Sequence, residues 1–112
     1  MKKFLVLYKA STSAFQQMQK ATPEQQKSGM DAWMAWSKKA GPLLVDMGAP
    51  VGKGLSVAKD GKTSPAATDL GGYSIMQGES KEALAEKLKG HPHFMMGDSS
   101  IEIVELMAMP GM

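Results

Sequence analysis

Phe4-Leu5-Val6-Leu7-Tyr8 is an unbroken apolar run set between lysines, a pattern that suits a central strand covered on both faces better than one with a wet side. Ala10 to Ala21 is small and polar, with Phe15 and Met18 as its large apolar groups, and reads as a loop with room for a turn of helix. Thr22-Pro23-Glu24-Gln25 carries the marks of a helix start: a Thr N-cap, Pro at the first helical position, and Gln at the capping-box position. Gly41 supplies the stop. Between them Gly29, Met30, Trp33, Met34, Trp36, Ser37 and Ala40 recur on one side at a 3.6-residue period while Lys27, Lys38 and Lys39 lie elsewhere, which predicts a stripe packed on a sheet.

Leu43 to Met47 alternates as a second strand, Leu55 to Lys59 as a third closed by Asp60-Gly61, and Lys62 to Asp69 reads as a surface loop. Tyr73 to Gln77 is the fourth strand. Ser80 caps a second helix whose Leu84, Ala85 and Leu88 make a narrow stripe; Gly90 ends it and Pro92 forbids its continuation. Ile101 to Met107 is the last strand, with Glu102 and Glu105 on opposite faces. The order β-α-β-β-β-α-β predicts one α+β domain over 1–112, with both helices on one side of an antiparallel or mixed sheet. Strands one and four nevertheless carry apolar residues of both parities, so the second face needs a cover. A second copy, giving a homodimer, is the economical one.

Charge and composition narrow the function by exclusion. The net charge of +2 comes from scattered lysines with no arginine, which disfavours nucleic-acid partners. The absence of cysteine excludes disulfides, thiolate metal sites and cysteine nucleophiles. The apolar run after Met1-Lys2-Lys3 is too short for a signal peptide and no run is long enough for a membrane helix, so a cytoplasmic location is expected.

Leu70-Gly71-Gly72-Tyr73, reached through Val57 to Gly61 and followed by a short helix ending Gly90-His91-Pro92, resembles the YCII-related family, and within it the DGPF subgroup. The likeness extends to Lys3 to Tyr8, to the helix exit at Met34 to Gly41, and to Ile101-Glu102-Ile103. Gly61-Lys62-Thr63-Ser64-Pro65 stands where the subgroup has its Asp-Gly-Pro-Phe tetrapeptide. The resemblance implies a ferredoxin-like sandwich that pairs through its sheets into a dimeric α/β barrel. It also implies acid/base work by a histidine and an aspartate, with the residue types exchanged here: Asp31 beside the helix position and His91 before Pro92.

His91 and His93, the two histidines of the chain, share that one turn. His91 with Asp31, Asp46 and Glu102 offers a carboxylate and imidazole set for general acid/base chemistry, and Tyr8 and Tyr73 could donate hydroxyls to a ligand in the same cleft. A carboxylate beside His91 would raise its pKa above about 6.5. Imidazoles next to Met95 and Met96 could also take a soft metal, but methionine is abundant throughout this chain and fills gaps readily, so no metal and no cofactor are expected. Two readings stay open: a small-molecule enzyme using His91 with Asp31 or Asp46, His93, Tyr73, Tyr8 and Glu102 lining its site, and a non-catalytic ligand-binding or dimeric assembly module.

Overall fold

A computed structural model of the chain describes residues 1–66 and 69–108. Among the described residues six strands and three α-helices follow in the order β1 (Lys2–Ala10), α1 (Thr12–Gln19), α2 (Pro23–Ala40), β2 (Leu44–Pro50), β3 (Leu55–Val57), β4 (Thr63–Pro65), β5 (Leu70–Gly78), α3 (Lys81–Lys87) and β6 (Ser99–Glu105). Four strands form an antiparallel sheet in the order β2-β5-β1-β6, and β3 and β4 pair separately as a two-stranded ribbon. With the ribbon set aside, this is the ferredoxin-like α+β arrangement. Strands β5 and β6 flank β1, each antiparallel to it, so β5-α3-β6 is a split βαβ unit closed around the first strand.

Register assigns each residue to a face. Phe4 lies opposite Met76, Val6 between Ser74 and Ile103, and Tyr8 between Gly72 and Ile101. This face is covered by α2 and α3, and its buried centre is Phe4, Val6, Tyr8, Met76, Leu84 and Leu88, with Trp33, Trp36, Ile101 and Ile103 packed around it. Leu5 lies between Ile75 and Val104, and Leu7 between Tyr73 and Glu102, on the opposite face. Neither α2 nor α3 lies on that side, where the Phe15 ring of α1 reaches the edge at Gly71, and the molecule is 19 Å thick along its shortest axis.

Three sequence expectations need correction. The stretch Ala10–Ala21 holds more than a turn of helix: α1 runs over eight residues with a short apolar face of Ala14, Phe15 and Met18, and is started by Ser11, whose hydroxyl accepts from the Ala14 N–H at 3.1 Å. Part of Lys62–Asp69 is the strand β4, drawn into order by β3; Ala67 and Thr68 of that stretch lie outside the described residues. Met30 and Met34 are exposed, because α2 turns Gly29, Ala32, Trp33, Trp36, Ser37 and Ala40 inward instead. The helix limits were well marked: Thr22 and Gln25 form the capping box, and Gly41 ends α2. Among the described residues no helix is long and apolar enough to cross a membrane.

Candidate functional site

The turn after α3 is built by the sequence Gly90-His91-Pro92-His93. Gly90 adopts φ +75°, a left-handed conformation that other residues enter at a cost, and so breaks the helix. Pro92 then opens a short 3₁₀ turn, Pro92–Met95, for which His91 is the N-cap: its Nδ1 accepts the His93 backbone N–H at 3.0 Å. That bond fixes the tautomer. With Nδ1 accepting, the neutral ring carries its proton on Nε2.

His91 is 1% exposed. Its ring stacks on Tyr8 at 5.2 Å and 26°, and meets Trp33 at 4.6 Å and 83° and Trp36 at 4.3 Å and 61°. These rings come from β1 and from the inward face of α2. Removal from water, with a smaller contribution from the neighbouring His93, lowers the His91 pKa to about 4. Its Nε2 is buried without a hydrogen-bond partner among the described residues. The site therefore presents a neutral imidazole with one N–H donor left over, enclosed by aromatic rings.

The groups around it are committed. The Tyr8 hydroxyl donates to Ser74 Oγ at 2.8 Å, and Ser74 Oγ donates to the Met47 carbonyl at 2.8 Å. Burial pushes the Tyr8 hydroxyl above its usual pKa, with the Ser74 bond pulling the other way. His93 Nε2 lies 2.8 Å from the Lys9 carbonyl, to which it donates. Met95 is exposed, and among the described residues no group of three or more His, Asp or Glu side chains is placed to hold a metal ion.

The sequence had gathered seven residues into one cleft, and the sheet divides them. Tyr8, His91 and His93 meet on the helix-covered side, whereas Tyr73 and Glu102 flank Leu7 on the open side. Glu102 and Asp69 there hold the Lys9 ammonium at 3.2 and 3.0 Å, which keeps its pKa above the usual lysine value. Asp31 is exposed on α2, and Asp46 uses its carboxylate to accept the Gly48 N–H at 2.8 Å. Neither makes a hydrogen bond or ion pair with His91 among the described residues. The expected rise of the His91 pKa is thus reversed in direction, because aromatic rings surround the imidazole where a carboxylate was expected. Sequence reasoning placed Trp33 and Trp36 against the sheet but not around His91; their i, i+3 spacing on α2 was the available signal.

Trp33 is only half-buried, with its ring also edge-on to Tyr8 at 5.0 Å. Trp33→Ala is expected to cost about 2 to 3 kcal/mol, somewhat below the loss for a wholly buried aromatic. Urea unfolding followed by circular dichroism checks this; a loss under about 1 kcal/mol would mean the ring box contributes little to holding α2.

No family model matches the sequence, and no curated protein does. Among solved structures, the chain is similar to 5-chloro-2-hydroxyhydroquinone dehydrochlorinase (TftG) from Burkholderia phenoliruptrix AC1100, in complex with 2,5-dihydroxybenzoquinone. The match has 16% identity and a TM-score of 0.51, and covers 89% of this chain and 90% of that one. At that identity the likeness shows the fold, a mixed α+β sandwich on an antiparallel sheet.

Proposed function

We propose that the chain is a YCII-related protein of the cytoplasm that binds a small planar organic molecule beside His91, and that it works as a homodimer. The observation that carries the binding reading is the wholly buried Nε2–H of His91, which has no hydrogen-bond partner among the described residues. Leaving such a donor unpaired costs about 1 to 3 kcal/mol, and a ligand oxygen recovers that loss. Tyr8, Trp33 and Trp36 supply ring faces and edges suited to a flat molecule, and the ligand reaches His91 by displacing the half-exposed indoles. A neutral imidazole at neutral pH acts here as a hydrogen-bond donor to a carbonyl, quinone or phenol oxygen. The quinone in the similar structure is of that chemical kind.

The homodimer is supported by the uncovered sheet face. Leu5, Leu7, Tyr73, Ile75 and Val104 lie side by side there, an apolar strip too continuous to be left in water. Sedimentation at micromolar concentration should give a dimer, and Leu7→Glu should convert it to a monomer of unchanged fold. A wild-type monomer at that concentration would remove this part of the reading.

A second reading has an observation of its own: the steep ring angles of 83° and 61° let an imidazole N–H meet an indole face, a weak bond that would satisfy Nε2 internally. The ring box would then be a structural hub and the protein an assembly module. Thermal-shift titration with 2,5-dihydroxybenzoquinone and a panel of hydroxylated quinones and phenols separates the two. The binding reading expects a rise in Tm for the wild type that disappears in His91→Phe. If no compound shifts the wild type, or if His91→Phe responds equally, the structural hub is the better account.

A further inference from the structure

The β3–β4 ribbon is the part of the molecule that neither the core nor the ring site uses. Leu55 pairs with Pro65, Ser56 with Ser64 and Val57 with Thr63, and all six residues are exposed. Side chains of paired residues share a face and alternate along the strand. One face of the ribbon therefore carries Leu55, Val57, Pro65 and the Thr63 methyl, and the other carries the two serines. Leu55 and Val57 are each 66% exposed.

The ribbon is well made at both ends. At its tip Ala58 N–H donates to the Lys62 carbonyl at 2.7 Å and Lys62 N–H to Asp60 Oδ1 at 3.0 Å; at its base Ala66 N–H donates to the Gly54 carbonyl at 3.1 Å. A lone two-stranded ribbon is at best marginally stable in water, and needs a surface to lie on. Among the described residues its six paired positions all stay exposed.

We infer that the ribbon is an arm whose Leu55, Val57 and Pro65 face clasps a second copy of this chain, extending the contact made through the open sheet face. The inference rests on the homodimer reading above. The second copy is the fitting occupant because the open apolar sheet face, which the homodimer reading assigns to a second copy, and the apolar ribbon face belong to neighbouring elements of one chain. The ribbon springs from the same sheet: its base follows β2 directly, with Val51 N–H donating to the Gly71 carbonyl of β5 at 3.1 Å. Two copies related by a twofold axis would each receive the other's arm, so the contact is made twice.

The test uses the double variant Leu55→Thr/Val57→Thr, which leaves strand-favouring β-branched side chains at both positions while making the apolar face polar. Sedimentation equilibrium should show the dimer of this variant dissociating at least about tenfold more readily than the wild type. Hydrogen exchange should show the Leu55–Thr63 amides protected in the wild-type dimer and unprotected in the Leu7→Glu monomer. In that monomeric background the double substitution should leave Tm unchanged. If the wild type is a dimer and the double variant dimerises equally well, the arm is overturned while the homodimer stands. An equal loss of Tm in the monomeric background also overturns it, since the ribbon face would then pack on its own chain. A wild type that is monomeric throughout removes the homodimer reading and the arm together.

Discussion

Gly48→Ala is expected to cost about 3 kcal/mol or more, enough to leave the protein largely unfolded under mild conditions. Gly48 has φ +74°, and a Cβ built on it would stand 1.7 Å from the Tyr73 carbonyl oxygen, which no side-chain movement can relieve. The residue sits where the β2–β5 register shifts between Asp46 and Ala49. That bulge is tied down on one side by the Asp46 carboxylate accepting the Gly48 N–H, and on the other by Ser74 donating to the Met47 carbonyl. Forcing it open would part β2 from β5 and release the Ser74 hydroxyl that anchors Tyr8. Equilibrium unfolding in urea measures the effect. A loss below about 1 kcal/mol would show that the bulge can re-form around an added methyl group.

The second large effect is one of pH. Between pH 6.5 and 4 the protein should lose about 3 kcal/mol of stability through His91 alone. The folded imidazole has its pKa lowered to about 4 from the ordinary 6.5. Over that window the unfolded chain binds a proton that the folded chain refuses, so stability is fully present above pH 6.5 and falls as the solution is acidified. Protonation would also place a hydrogen on Nδ1 and oppose the bond that it accepts from His93. His91→Asn keeps a side-chain acceptor suited to an N-cap and removes the titration. Its unfolding free energy should therefore vary less between pH 7 and 4 than that of the wild type, by about the same 3 kcal/mol. Equal acid sensitivity in the two proteins would mean that His91 is not the buried base described.

The parts of the fold that could be read from the sequence are those in which a short stretch decides its own structure. Thr22, Pro23 and Gln25 cap α2 by local bonds, and the run Phe4 to Tyr8 is apolar enough to be a central strand wherever it lies. The helix α1 was legible only as room for a turn, because its apolar face is short: Ala14 is buried, and Met18 is half exposed. Strand β4 escaped because Thr63-Ser64-Pro65 is a strand only through its pairing with β3. The site followed the same rule. Gly90 and Pro92 marked the turn that presents His91, but the residues that meet there come from β1 and α2, and the i, i+3 spacing of Trp33 and Trp36 marks an inward face without naming the turn it meets. Asp46, conspicuous as an acid among apolar neighbours, answers the needs of a backbone bulge.

The helix α2 has eighteen residues, and none of them is wholly buried. Its hold on the sheet runs chiefly through two half-buried indoles, while β1 and β5 share a long register at the centre of the molecule. The native state should therefore open in stages. Native-state amide exchange is expected to show α2 detaching as a cooperative unit at a free energy well below that of global unfolding, with the β1 and β5 amides exchanging last. Such an excursion would uncover His91 while the sheet stays intact, so the most protected imidazole of the static structure would be within reach of solvent many times before the chain unfolds.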